Sequence, residues 1–95
     1  MQLADFQASI EQAQPPDLPG PLRALWWQRK GEFDRAHQLV QDDPSPAAAW
    51  VQAYLHRVEG DSDNAGYWYR RAGQPVCDAS LATEWQSITD QLLSA

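Results

Sequence analysis

Two histidines, one cysteine and a run of aromatic and basic residues are the side chains of this 95-residue chain with the most chemistry to offer. A zinc site takes three or four His, Cys or carboxylate ligands at close spacing. Neither histidine has such a set at helical spacing. Around His56, positions 52, 53, 59 and 60 hold Gln, Ala, Glu and Gly, of which only Glu59 can coordinate. No metal is expected on this reading, and EDTA or added zinc is expected to leave thermal stability unchanged, since a bound ion shifts stability by mass action. His56 and His37 read instead as packing residues, His37 at the edge of a helix face.

Cys77 stands beside Asp78, and a neighbouring carboxylate disfavours the thiolate that a nucleophile requires. It reads as an inert thiol in a connecting loop. Neither the strand-to-helix serine motif, nor a phosphate-binding loop, nor a dinucleotide glycine fingerprint is present. The chain is therefore expected to be non-catalytic and free of cofactors. In GDSDNAGYWYRRAG, residues 60–73, Arg71 shares a helix face with Tyr67 and Asn64. A cation beside an aromatic makes a stabilising intrahelical pair or the rim of a carboxylate site, and the pair is the more economical reading.

Charge narrows the list of partners. Residues 1–22 and 72–95 each hold three acids and no Lys or Arg, while residues 23–71 hold seven of each sign, for a net charge of -6. That distribution lacks the basic footprint that phosphate neutralisation demands, so nucleic acid is not expected. The start has neither a basic flank nor an apolar stretch that would mark a signal peptide, and no apolar run approaches the ~20 residues of a membrane span. One cysteine permits no intrachain disulfide, which fits a reducing cytoplasm.

The elements that must position these residues are announced by a repeat. Ala24, Gly31, Asp34, Ala36 and Pro46 recur 29 residues later as Ala53, Gly60, Asp63, Ala65 and Pro75, and the slot of Trp27 recurs as His56 and Trp85. Ser45 before Pro46 forms a helix start, Gly60 a helix stop, and Asp61 and Asp63 sit where a second helix presents unpaired N–H groups. Ala65, Trp68, Tyr69 and Ala72 then share one face, predicted to be core, while Tyr67 and Arg71 point away. Five tryptophans exceed what two short repeats need, which leaves one or two exposed. Leu81, Ala82, Trp85, Ile88, Leu92 and Leu93 oppose Glu84, Gln86, Ser87, Asp90 and Gln91, as in a terminal helix with a solvated outer face. At the other end, Leu3, Phe6, Ile10 and Ala13 form an apolar stripe that Pro15-Pro16 stops.

The spacing of Ala53, Gly60, Ala65, Trp68, Tyr69 and Ala72 resembles tetratricopeptide repeats, and D-x-x-x-A-x-x-W-Y-x-x-A, from Asp61 to Ala72, is similar to the Sel-like subclass. In the first repeat Ala24, Trp27, Gly31 and Ala36 match, whereas Asp43 stands in place of the last alanine. A period of 29 is shorter than the usual ~34, which requires tighter connections or shorter helices. The resemblance implies an all-α domain, a short right-handed stack of antiparallel helix pairs with capping helices: 1–14, repeats at 21–43 and 46–73, and 79–94. It further implies a protein- or peptide-binding role, for which the groove of the first helices is the expected seat; the candidate contact residues chosen on this reading are Trp27, Tyr54, His56, Tyr67 and Arg71. Self-association as a homodimer, or a small-molecule site using His37, His56 and neighbouring acids, are the alternatives.

Overall fold

The two glycines 29 residues apart end two helices in the same way. In a computed structural model that describes residues 1–95, the chain forms α1 (Leu3–Ser9), α2 (Gly20–Arg29), α3 (Phe33–Val40), α4 (Pro46–Val58), α5 (Ser62–Ala72) and α6 (Leu81–Ser94). Gly31 and Gly60 adopt φ of 88° and 82°, a conformation that costs glycine little. Each lets the next residue's N–H reach back to a last-turn carbonyl: Glu32 to Trp27 and Asp61 to His56, both at 2.9 Å. The result is two helix hairpins, α2–α3 and α4–α5. Their helices are short, 10, 8, 13 and 11 residues, which accounts for the compressed period.

The prolines of the repeat do not share a role. Pro46 opens α4 behind Ser45, whose hydroxyl accepts from the Ala48 N–H at 3.1 Å. Pro75 lies in the connection before α6, which starts only at Leu81 behind a Ser80 cap. Likewise α1 stops at Ser9 rather than continuing to residue 14. Hydrogen bonds from Ile10 to Gln7 and from Gln12 to Ser9 tighten the chain into a turn, and Ala13 is left exposed. The Ser9 hydroxyl donates to the Phe6 carbonyl at 2.6 Å and accepts from the Trp26 indole at 3.0 Å, so the helix end is tied to α2.

α4 is the central helix and touches α2, α3, α5 and α6; α6 lies across α2 and α4, and α1 rests on α6. Trp26, Trp85, Phe6, Leu25, Leu55 and Ile88 are fully buried between them. Trp85 donates its indole N–H to the Leu25 carbonyl at 3.0 Å, and the Phe6 ring lies 5.8 Å from that of Trp85. The large aromatics thus carry much of the apolar burial available to so small a chain. No helix is long and apolar enough to cross a membrane.

Ala36 and Ala65, read from sequence as points of close helix approach, are buried. Ala65 packs with Ala53 and Tyr69 where α5 meets α4. Ala65→Leu is expected to overpack that contact by about 1–3 kcal/mol. A melting temperature equal to wild type would show that the α4–α5 interface tolerates a side chain at this slot.

α6 is rotated from the face that its pattern suggests. Leu81 and Ala82 are exposed, whereas Glu84 is 3% exposed and Thr89 fully buried. The cause lies on other helices. Arg57 of α4 donates through Nη1 to Glu84 Oε1 and through Nη2 to the Ala79 carbonyl, both at 2.7 Å. Tyr69 of α5 donates its hydroxyl to Glu84 Oε2 at 2.5 Å. Burial, and then this bond to Glu84, push the Tyr69 phenol well above its ordinary range, while the bond that Arg57 donates to Glu84 raises its guanidinium. A glutamate placed on the polar side by its type is drawn inward because a cation and a phenol wait there.

Candidate functional site

The five candidate contact residues separate into two environments. Trp27 is 9% exposed and Tyr54 3%, both within the main core. The Tyr54 hydroxyl donates to Gln28 Oε1 at 3.3 Å, and burial pushes its phenol up to about 12 against the lowering influence of Arg29. His56, Tyr67 and Arg71 instead meet in a row of rings at the surface. The row also takes in Phe33 and His37 of α3 and Trp68 of α5.

Each link has a local cause. Phe33 and His37 are one helical turn apart on α3, and their rings stack at 6.4 Å with 6° between planes. His56, in the last turn of α4, presents its ring edge-on to His37 at 6.3 Å and parallel to Trp68 at 6.4 Å, 10° from coplanar. Trp68 meets Tyr67 at 5.3 Å in a perpendicular arrangement. The Arg71 guanidinium lies 5.2 Å from the Trp68 ring and 5.9 Å from that of Tyr67, and donates to the Tyr67 hydroxyl at 3.3 Å. These spacings fall within or close to the range of favourable aromatic and cation–π contacts.

The row is half-exposed rather than enclosed. Phe33, His37, His56 and Trp68 are partly buried, and Tyr67 is 44% exposed. Trp68, assigned from its pattern to the core with Tyr69, is therefore a boundary residue: Tyr69 fills the inner position, and Trp68 turns its ring toward His56 and Arg71. Trp50 is the other tryptophan that keeps partial exposure clearly above the core, while Trp26, Trp27 and Trp85 are buried. A shallow cleft at the α2–α3 corner, lined by Gly31, Glu32, Phe33, Asp34 and Arg35, borders the Phe33 end.

Carboxylates gather beside His56, in the middle of the row. His56 Nδ1 and Glu59 Oε1 are 2.5 Å apart. Ligand atoms of His56, Glu59 and Asp61 all lie within 4.8 Å of one another. Asp61 also caps α5, accepting from the Asn64 N–H at 3.2 Å and from Asn64 Nδ2 at 2.8 Å, and these bonds hold its carboxyl below the usual carboxylate range. A search at helical spacing finds Glu59 but not Asp61, because the latter arrives across the Gly60 turn. Phe33 and His37 carried a readable signal in their one-turn spacing; the junction of His37 with His56 carried none, since it joins separate helices.

His56 Nδ1 pairs with the Glu59 carboxylate rather than with a hydroxyl or thiol. The arrangement offers flat π surfaces, a guanidinium fork and a small group of nitrogen and oxygen donors. Comparison with protein-family models, curated proteins and solved structures gives no match to this chain.

Proposed function

We propose that this protein is a non-catalytic binding module, a short tetratricopeptide-like stack in the cytoplasm. It recognises a protein or peptide segment through the row Phe33, His37, His56, Trp68, Tyr67 and Arg71. The observation that supports this reading is the continuity of half-exposed rings across three helices, with an exposed cation at one end. Aromatic and arginine side chains are the types that dominate binding energy at protein surfaces. Trp27 and Tyr54 are buried in the main core and lie outside the proposed contact surface. The chemistry of the row favours a segment that carries an aromatic or aliphatic side chain for the ring faces and a carboxylate for Arg71.

A peptide-display selection against the wild-type chain tests the proposal. Peptides so obtained are expected to lose at least about tenfold in affinity with Tyr67→Ala or Arg71→Ala, the scale of a contact worth more than 1 kcal/mol. Stability is expected to move by only about 0.5 kcal/mol in either variant, as at most surface positions. Selected peptides that bind both variants as well as wild type would exclude the row. A chain that yields no peptides and sediments as a dimer, with Tyr67→Ala restoring the monomer, would assign the row to self-association.

A further inference from the structure

Whether or not the recognition row takes a partner, the geometry points to a binding site for a single divalent transition-metal ion at His56, a member of that row, with Glu59 and Asp61 beside it. The site belongs to the corner between α4 and α5. Gly60 turns the chain at φ 82°, and the Asp61 N–H closes onto the His56 carbonyl at 2.9 Å, so residues five apart become neighbours. One imidazole nitrogen and two carboxylates then lie within 4.8 Å of one another. His56 and Glu59 also stand at the C-terminal end of α4, where the helix dipole favours positive charge, whereas Asp61 caps the N-terminus of α5, whose dipole acts against a cation.

Two of the three ligands are held in place by contacts unrelated to one another. The His56 ring is fixed between Trp68, parallel at 6.4 Å, and His37, edge-on at 6.3 Å. The Asp61 carboxylate is fixed by both Asn64 nitrogens, which hold one oxygen each. Orientation of ligands by such outer contacts is a general feature of metal sites. Glu59, 41% exposed, is the adjustable member. Its Oε1 now stands 2.5 Å from His56 Nδ1. Adjacent ligands on a tetrahedral ion with bonds of about 2.0–2.2 Å sit roughly 3.4 Å apart, so Glu59 withdraws from His56 by about 0.9 Å while the wider separations of the set, up to 4.8 Å, close.

The donor set selects the class of ion. One nitrogen with two carboxylate oxygens suits zinc, cobalt or nickel, whereas magnesium and calcium favour oxygen alone. Three protein ligands at a partly exposed corner leave the remaining coordination positions to water. The sequence-based expectation of no metal counted only ligands at helical spacing, and Asp61 lies outside that count.

The test uses the untagged full chain, stripped with a chelator and titrated calorimetrically with zinc sulfate, nickel chloride and magnesium chloride. Zinc and nickel are expected to bind at one ion per chain, and saturating zinc to raise the melting temperature by roughly 5–10 °C. Glu59→Gln and Asp61→Asn, the latter retaining a capping side chain, are each expected to weaken zinc binding at least about tenfold. Both residues lie outside the recognition row, so this result is separate from any peptide affinity. Cys77→Ser is expected to bind zinc as wild type does. Absence of saturable binding, equal affinity in Glu59→Gln and Asp61→Asn, or loss of binding in Cys77→Ser would each overturn the site.

Discussion

Trp85→Ala is expected to lower the melting temperature by roughly 12–40 °C. Removing a large aromatic from a core costs about 3–5 kcal/mol, and each kcal/mol moves the midpoint of a domain of this size by about 4–8 °C. Trp85 is fully buried, packs on Phe6 of α1, and donates to the Leu25 carbonyl of α2. Truncation opens a cavity where three helices meet and removes the indole's hydrogen bond to that carbonyl. Total stability for 95 residues is only about 5–14 kcal/mol, so the loss is a large fraction of what the domain has. Thermal unfolding followed by circular dichroism measures it. A drop under about 5 °C would show that α6 is not anchored through this indole.

Glu84→Ala is the second large effect, about 2–4 kcal/mol. Deleting one partner of a buried ion pair usually costs about 3–5 kcal/mol, and the lower range reflects the partial exposure of Arg57, whose side chain is 20% accessible. The substitution leaves a guanidinium against α6 and the Tyr69 hydroxyl without its acceptor. Replacing the whole group together, as Arg57→Met, Glu84→Leu and Tyr69→Phe, is expected to be much milder than Glu84→Ala alone, because no unpaired polar atom stays behind. Urea unfolding of the two variants compares them directly. Wild-type stability in Glu84→Ala would mean that this glutamate is solvated, as its place in the α6 pattern suggested.

What the residues announced and what they concealed follow from the range over which each signal acts. Ser45-Pro46, Gly31 and Gly60 act within a few residues of themselves, and the structure places helix ends at all three. The small residues Ala36 and Ala65 likewise mark buried contacts within their own helix pairs. The inward turn of Glu84 depends on Arg57, 27 residues away, and no local pattern encodes it. Trp68 and Tyr69 have the same hydrophobic signature, so their division into boundary and core is set only when α4 packs against α5. For the candidate site, Tyr67 and Arg71 were legible from one helix. The junction of His37, His56 and Trp68 draws on three helices and was not.

The bond from Trp85 to Leu25 spans 60 residues of sequence. At a synthesis rate of about 5–20 residues per second, a ribosome takes roughly 3–12 s to pass from the acceptor to the donor. Throughout that interval the nascent chain has already committed Leu25 and its neighbours in α2 but has not yet made the helix that covers them. The two hairpins, whose contacts are local, form on a far shorter timescale. The α2–α3 hairpin is complete at Val40, 45 residues before Trp85, so the growing polypeptide carries its uncovered apolar surface for roughly 2–9 s, and this is the period in which a chaperone that reads exposed apolar surface has its opportunity to bind.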